Sequence, residues 1–226
     1  MKIALDQEVA RHYDSWYETD AGRYISSLEE GLIKQLLWET KGLHILEMGY
    51  GTGRHLKLLK SLGSDTVGVE PSVFILRKAK EKGEIKLILA KGEQLPLRDR
   101  AFDGTIVITT LEFCQEPGKM LHEAARVTRE KISVGILDKW SFLALVRKIE
   151  GCLKPSIYNQ ADLLSIWKLK RLLKKNLAVE STKWQGVHFL PYCKVGLLEW
   201  LDRKLSFRKN PFSSFLGVSV TLQPRP

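Results

Sequence analysis

The chain is 226 residues long, 44% apolar and 27% charged, proportions of an ordinary soluble protein with enough chain to bury its own core. No apolar run reaches the length of a membrane span, and the start, Met1 to Asp6, shows no secretory h-region. The formal charge of +10 is lopsided: residues 1–138 carry 20 Lys and Arg against 21 Asp and Glu, while residues 139–226 carry 16 against five.

Amphipathic spacing predicts helices over 3–17 and 22–39. Strand patterns at 43–48, 66–70, 85–90, 103–109 and 131–137 then alternate with helical patterns near 54–62, 72–82 and 118–129. Short links between alternating elements predict a parallel sheet covered on both faces. Val67-Gly68-Val69 and Thr105-Ile106-Val107-Ile108 have the apolar, β-branched look of central strands. Past 139 the rhythm changes. Two helical patterns fill 140–176 around Lys154-Pro155, followed by a strand at 177–184, a helix at 194–206 and a strand at 214–222. The long link between the last two strands suits an antiparallel pair. Cys114, Cys152 and Cys193 are too few and too scattered for a disulfide framework or a cysteine metal site, which fits a reducing cytoplasm.

The densest signal is Ile45-Leu46-Glu47-Met48-Gly49-Tyr50-Gly51-Thr52-Gly53, an apolar strand ending in an acid and alternating glycines, with a helix starting at once. Glycine allows the backbone to turn at positive φ and a ligand to lie against the main chain, while the free N–H groups of the next helix favour a polar partner. A dinucleotide loop needs G-x-G-x-x-G. Here the third glycine comes one residue early and Arg54 follows it. Glu47 would repel a pyrophosphate but suits a ligand carrying an ammonium or sulfonium. About twenty residues on, Glu70 closes the second strand, where one carboxylate can hold a ribose diol. Pro71-Ser72 then open a helix.

On these residues the chain resembles the class I S-adenosylmethionine-dependent methyltransferases, whose first motif is E/D-x-G-x-G-x-G. Ala90 to Asp103, with Gly92-Glu93-Gln94-Leu95-Pro96 and Phe102-Asp103, and Leu121 to Val127 resemble the type 11 branch, which includes quinone-biosynthesis enzymes. The chain departs from that branch at Lys91, where many members have Asp, and in lacking P-G-G before the fifth strand. The resemblance covers about residues 9–138. It implies an α/β, Rossmann-like class I sheet, mostly parallel with its last strand antiparallel. Helices would lie on both faces, with N-terminal helices and a helical insertion before the final hairpin. Residues 1–226 would form one methyltransferase domain: a lid over 1–40, a cofactor core over 41–138 and a basic part over 139–226.

The cofactor implied is S-adenosyl-L-methionine. The residues implied to hold it are Glu47, Gly49, Tyr50, Gly51 and Gly53 in the loop, Glu70 and Pro71 after the second strand, Gly92 and Glu93 beside the adenine, and Thr110 and Leu111 near the methyl group. In-line methyl transfer needs alignment, dryness and, for a weak nucleophile, a base. Candidate bases are Glu112, at the end of the fourth strand, with His12, Tyr13 and His188. His12-Tyr13-Asp14-Ser15-Trp16-Tyr17 resembles the branch's N-terminal lid segment. Asp103 is expected to fix a loop, and Glu123 with Arg126 to form an intrahelical pair. No metal is called for.

The basic C-terminal part points to an anionic partner, whether nucleic acid, a membrane surface or an acidic small molecule, or else serves as a solubilising surface. On a helical wheel of 161–175, Leu163, Ile166, Leu169 and Leu173 share one face. Leu164, Trp167, Lys168, Arg171, Lys174 and Lys175 lie opposite. Trp140, Phe142, Tyr158, Trp184, Phe189 and Tyr192 supply rings for an apolar substrate wall or for the core. The expected activity is methyl transfer to a small, anionic or lipid-like molecule. The alternatives are a tRNA or rRNA methyltransferase and a non-catalytic cofactor-binding partner protein.

Overall fold

The computed structural model describes residues 15–37, 40–81, 86–153, 161–190 and 196–224. After a helical turn at 15–17, α1 (Asp20–Leu36) leads to β1 (His44–Met48), α2 (Arg54–Ser61), β2 (Asp65–Glu70), α3 (Val73–Glu81) and β3 (Lys86–Leu89). Next come β4 (Phe102–Ile108), a 3-10 turn at Leu111–Phe113, α4 (Pro117–Val127) and β5 (Thr128–Leu137). The chain ends with α5 (Phe142–Leu153), α6 (Ile166–Asn176), β6 (Val179–Val187), α7 (Gly196–Leu205) and β7 (Phe215–Leu222).

Among the described residues seven strands form one sheet in the order β3-β2-β1-β4-β5-β7-β6. The pairs β1–β2, β2–β3, β1–β4 and β4–β5 are parallel, while β7 runs antiparallel to both β5 and β6. From β1 the chain winds outward through β2 to β3, then returns to the other side of β1 with β4. That reversal makes the carboxyl ends of β1 and β4 the topological switch point, the position where such sheets take ligands.

Alternate strand residues face opposite sides, and each side is closed by helices. Leu28, Leu32 and Ile33 of α1 pack with Ile45, Ile106, Leu137 and Phe215. Across the sheet, Leu121 and Ala124 of α4 and Leu169 and Leu173 of α6 meet Leu46, Val107, Val134 and Val218. At Gly217, a Cβ would collide with Leu36 of α1, so the helix lies directly on β7.

Two details differ from the sequence expectation. β5 begins at Thr128 because α4 passes into it without a turn. The Thr128 hydroxyl donates to the Ala124 carbonyl at 2.5 Å and lies 2.6 Å from the Thr105 hydroxyl. Leu164 belongs to the core, not to the basic face. Helix α6 starts only at Ile166, with Ser165 accepting the Lys168 N–H, and Leu164 before it bridges to Asp138. Trp167, in contrast, is 55% exposed.

Candidate functional site

The loop after β1 takes three glycines through positive φ, 77° at Gly49, 54° at Gly51 and 81° at Gly53. A side chain at Gly49 would strike Thr110, and one at Gly53 would strike the Tyr50 hydroxyl. Gly51 is different. A Cβ there would meet nothing within 4 Å, so its main chain fronts open space. The Gly51 N–H donates to Glu70 Oε2 at 3.1 Å, while Glu70 Oε1 accepts the Ser72 N–H at 3.0 Å. Loop and second-strand acid are thus one unit. Burial pushes the Glu70 carboxyl up, against those two N–H bonds and with the Glu47 charge adding to it. Pro71 is half-buried, and the Ser72 hydroxyl accepts the Ile75 N–H at 3.3 Å at the start of α3.

Glu47 is 1% exposed. Its Oε1 lies 3.1 Å from His55 Nδ1, and its Oε2 has no hydrogen-bond partner among the described residues. Burial raises its pKa, and His55 counters part of that. A buried carboxylate oxygen without a partner is costly. A cationic ligand group would relieve it. His55 escaped sequence reasoning, although it sits in the first turn of the loop's own helix.

Tyr50 does not offer its ring to a ligand. The ring is buried with Leu56 and half-buried Leu87, in space that side chains on Gly53 and Gly68 would need. It props the loop from within. Leu111 is likewise a core side chain. The Thr110 hydroxyl donates to the Ile108 carbonyl at 2.8 Å and reaches that of Met48 at 3.3 Å, tying β4 to β1. Gly92 packs against Met120, whose Cε would lie 2.8 Å from an added Cβ. Glu93 is half-buried and Lys91 exposed.

Arg126 does more than pair within its helix. It donates to Glu123 and Asp99 and to the Leu95 and Leu97 carbonyls, while Glu123 accepts the Leu95 N–H at 2.7 Å. The segment after Gly92-Glu93 is therefore tied to α4. Asp103 accepts the His44 N–H at 2.9 Å and pairs with Arg129, fastening the start of β1.

Glu112 is fully buried, and its Oε1 accepts the Leu137 N–H at 2.7 Å. Burial pushes its carboxyl up to about 7 despite that N–H and its own. It joins the 3-10 turn to the end of β5 and is shut off from solvent, while its Oε2 has no hydrogen-bond partner among the described residues. His12 and Tyr13 lie outside the described residues, as do Tyr158 and Tyr192.

Two contacts absent from the sequence reading bind α1 to this edge. Arg54, the first residue of α2, donates to Glu30 at 3.0 Å and to the Ser26 hydroxyl, and covers the Tyr17 ring at 3.9 Å. Its Nη1 is buried without a hydrogen-bond partner among the described residues. Farther along, the Tyr24 hydroxyl donates to Asp202 Oδ2 at 2.8 Å, and His188 Nδ1 lies 3.1 Å from the same oxygen. Asp202 Oδ1 accepts the Phe189 and Leu190 N–H groups. Although burial opposes it, these donors hold the Asp202 carboxyl below its ordinary value. His188 is 1% exposed, so it too sits inside the fold. Among the described residues no His, Cys, Asp and Glu group is arranged to hold a metal ion, and no helix is long and apolar enough to cross a membrane.

Comparison with known proteins agrees with this fold. Residues 46–131 match a family model described as Methyltransferase domain. The chain is 36% identical over 184 residues to an uncharacterized protein of Methanocaldococcus jannaschii, covering 79% of this chain and 84% of that one. It is 28% identical over 99 residues to a demethylmenaquinone methyltransferase of Renibacterium salmoninarum, covering 43% of this chain and 42% of that enzyme. A crystal structure from Thermotoga maritima, described as a SAM-dependent methyltransferase and possible histamine N-methyltransferase, superposes with TM-score 0.78. It is 26% identical and covers 96% of this chain and 97% of that one. A glycine-rich loop at the β1–β4 switch point of a seven-stranded sheet with antiparallel β7, and these likenesses, together make the chain a member of the class I S-adenosylmethionine-dependent methyltransferases, an enzyme whose cofactor is S-adenosyl-L-methionine.

Proposed function

We propose that the enzyme methylates a small, lipid-like acceptor carrying an anionic group, by in-line displacement in a cytoplasmic setting. The observation that carries the cofactor half of this reading is the 3.1 Å bond between Glu70 and the Gly51 N–H beside open main chain. A carboxylate has about four lone-pair positions, and the two N–H donors leave room for a ribose diol. Glu47 Oε2 and Arg54 Nη1, both buried without hydrogen-bond partners among the described residues, would take the ammonium and carboxylate of the amino-acid end. Gly49, Gly51 and Gly53, the Tyr50 main chain, Pro71, Gly92, Glu93, Thr110 and Leu111 would border the rest. When bound, S-adenosyl-L-methionine supplies a methyl group already activated on a sulfonium.

The protein's own part is then to align the acceptor and keep water out. An acceptor oxygen that is already anionic needs no base, which suits a fold in which Glu112 is shut off from solvent. An apolar acceptor is supported by the exposed Trp140 and Phe142 just past β5 and by the likeness to a demethylmenaquinone methyltransferase. Lys174 and Lys175 lie in the last turn of α6, which leads into the start of β6. They stand at the opposite edge from the glycine loop, so the RNA reading gains little from them.

Titration calorimetry with S-adenosylhomocysteine, followed by transfer of labelled methyl to membrane-lipid extract, tRNA or biogenic amines, tests both halves. Binding with label in the lipid fraction is expected. Absence of binding would overturn the cofactor assignments, and label confined to RNA or amines would overturn the acceptor class.

A further inference from the structure

Several of the exposed large apolar side chains among the described residues flank the carboxyl edge of the sheet, where the glycine loop lies. Phe74 follows β2, Leu89 closes β3, Trp140 follows β5, and Phe212 precedes β7. Trp167 opens α6, which runs from that edge toward the start of β6. The last member, α7, is built inside out. Its buried residue is Asp202, held by Tyr24 and His188, whereas Leu197, Leu198, Trp200 and Leu201 are 70%, 38%, 51% and 37% exposed. A surface helix normally turns its apolar stripe inward. Here the acid anchors the helix, leaving that stripe facing out.

Cations accompany the rings. Lys204 Nζ lies 4.0 Å from the Trp200 ring and Lys139 Nζ 4.7 Å from that of Trp140. Arg203 flanks the same helix over the Tyr24 ring at 5.0 Å. Lys139, Trp140, α7 and Phe212 fall within residues 139–226, the part of the chain with 16 Lys and Arg against five acids, although Lys174 and Lys175 of that part stand at the opposite edge. Rings and leucines interleaved with Lys and Arg, on one rim, match a bilayer interface with anionic headgroups.

We infer that the carboxyl edge, led by α7, docks on an anionic membrane surface, so that the switch point faces the phase from which its acceptor comes. The inference builds on the lipid-like acceptor proposed above. Its test involves no methyl transfer, so the two fail separately. The full chain is sedimented with vesicles of phosphatidylcholine alone and of phosphatidylcholine with phosphatidylglycerol, at low and at high salt. The wild type should pellet with the anionic vesicles and be released by salt, as screening requires. Leu197→Ser with Trp200→Ser should weaken that binding by about tenfold or more, with S-adenosylhomocysteine binding and thermal melting unchanged. These side chains are exposed, so the variant keeps its core.

Wild-type protein left in the supernatant with anionic vesicles, or equal pelleting of wild type and variant, would overturn the inference. So would size-exclusion showing a dimer that the double variant splits, because a second copy would then be the occupant of this face.

Discussion

Glu112→Gln is expected to make the protein more stable above pH 7 and to leave its stability near pH 4 almost unchanged. In the fold the carboxyl titrates near 7 instead of the ordinary 4.5, and each pH unit of displacement is worth about 1.4 kcal/mol. Below 4.5 both folded and unfolded chains hold the proton, so no penalty exists. Between 4.5 and about 7 the unfolded chain releases it while the native state retains it, and stability falls as pH rises. Above 7 the native state carries a buried charge at a cost of about 3 kcal/mol. Glutamine keeps an acceptor for the Leu137 N–H, bonded at 2.7 Å in the wild type, and has no proton to lose. Other acids titrate alike in both proteins and cancel in the difference.

Urea unfolding of wild type and variant from pH 4 to 8 measures that difference directly. A gap that opens to about 2–4 kcal/mol by pH 8 is expected. A gap independent of pH, or a variant less stable at pH 8, would refute the reasoning. The same variant should retain methyl transfer within about threefold, whereas loss of a general base costs about a hundredfold or more.

Three further outcomes follow from the geometry. Gly51→Ala should cost only about 1 kcal/mol of stability, the strain of a left-handed alanine. Its methyl group would enter the open space before the loop, so calorimetry should show S-adenosylhomocysteine binding about tenfold or more weaker; unchanged affinity would contradict the cradle. Arg54→Met should loosen the Tyr17 and Glu30 contacts, raising amide exchange at the start of α1 and weakening S-adenosylhomocysteine by about tenfold, the worth of one charge-assisted bond. Protected amides and full affinity would speak against it. Tyr24→Phe should destabilise by about 1–2 kcal/mol in urea by removing a donor to buried Asp202, and an effect within about 0.3 kcal/mol would count against that network.

Local chemistry made much of this protein legible from the chain alone. Alternating strand and helix periods, glycines spaced along one bend, and acids at two strand ends are all short-range signals, and they led to the sheet, the loop and Glu70. The antiparallel β6–β7 pair could be read from the long link between its strands. What remained hidden depended on distance through space. That Tyr50 lies beneath its loop, that Arg54 holds Tyr17 and Glu30, and that Asp202 turns inward to meet Tyr24 and His188 are contacts between residues whose neighbourhood only the packed sheet creates. Glu112 shows the difference best. Its place after β4 is visible in sequence, but whether a carboxylate there meets solvent or the Leu137 N–H depends on β5 lying beside it. Burial is a property of the assembled layers, and burial decides the chemistry of an acid.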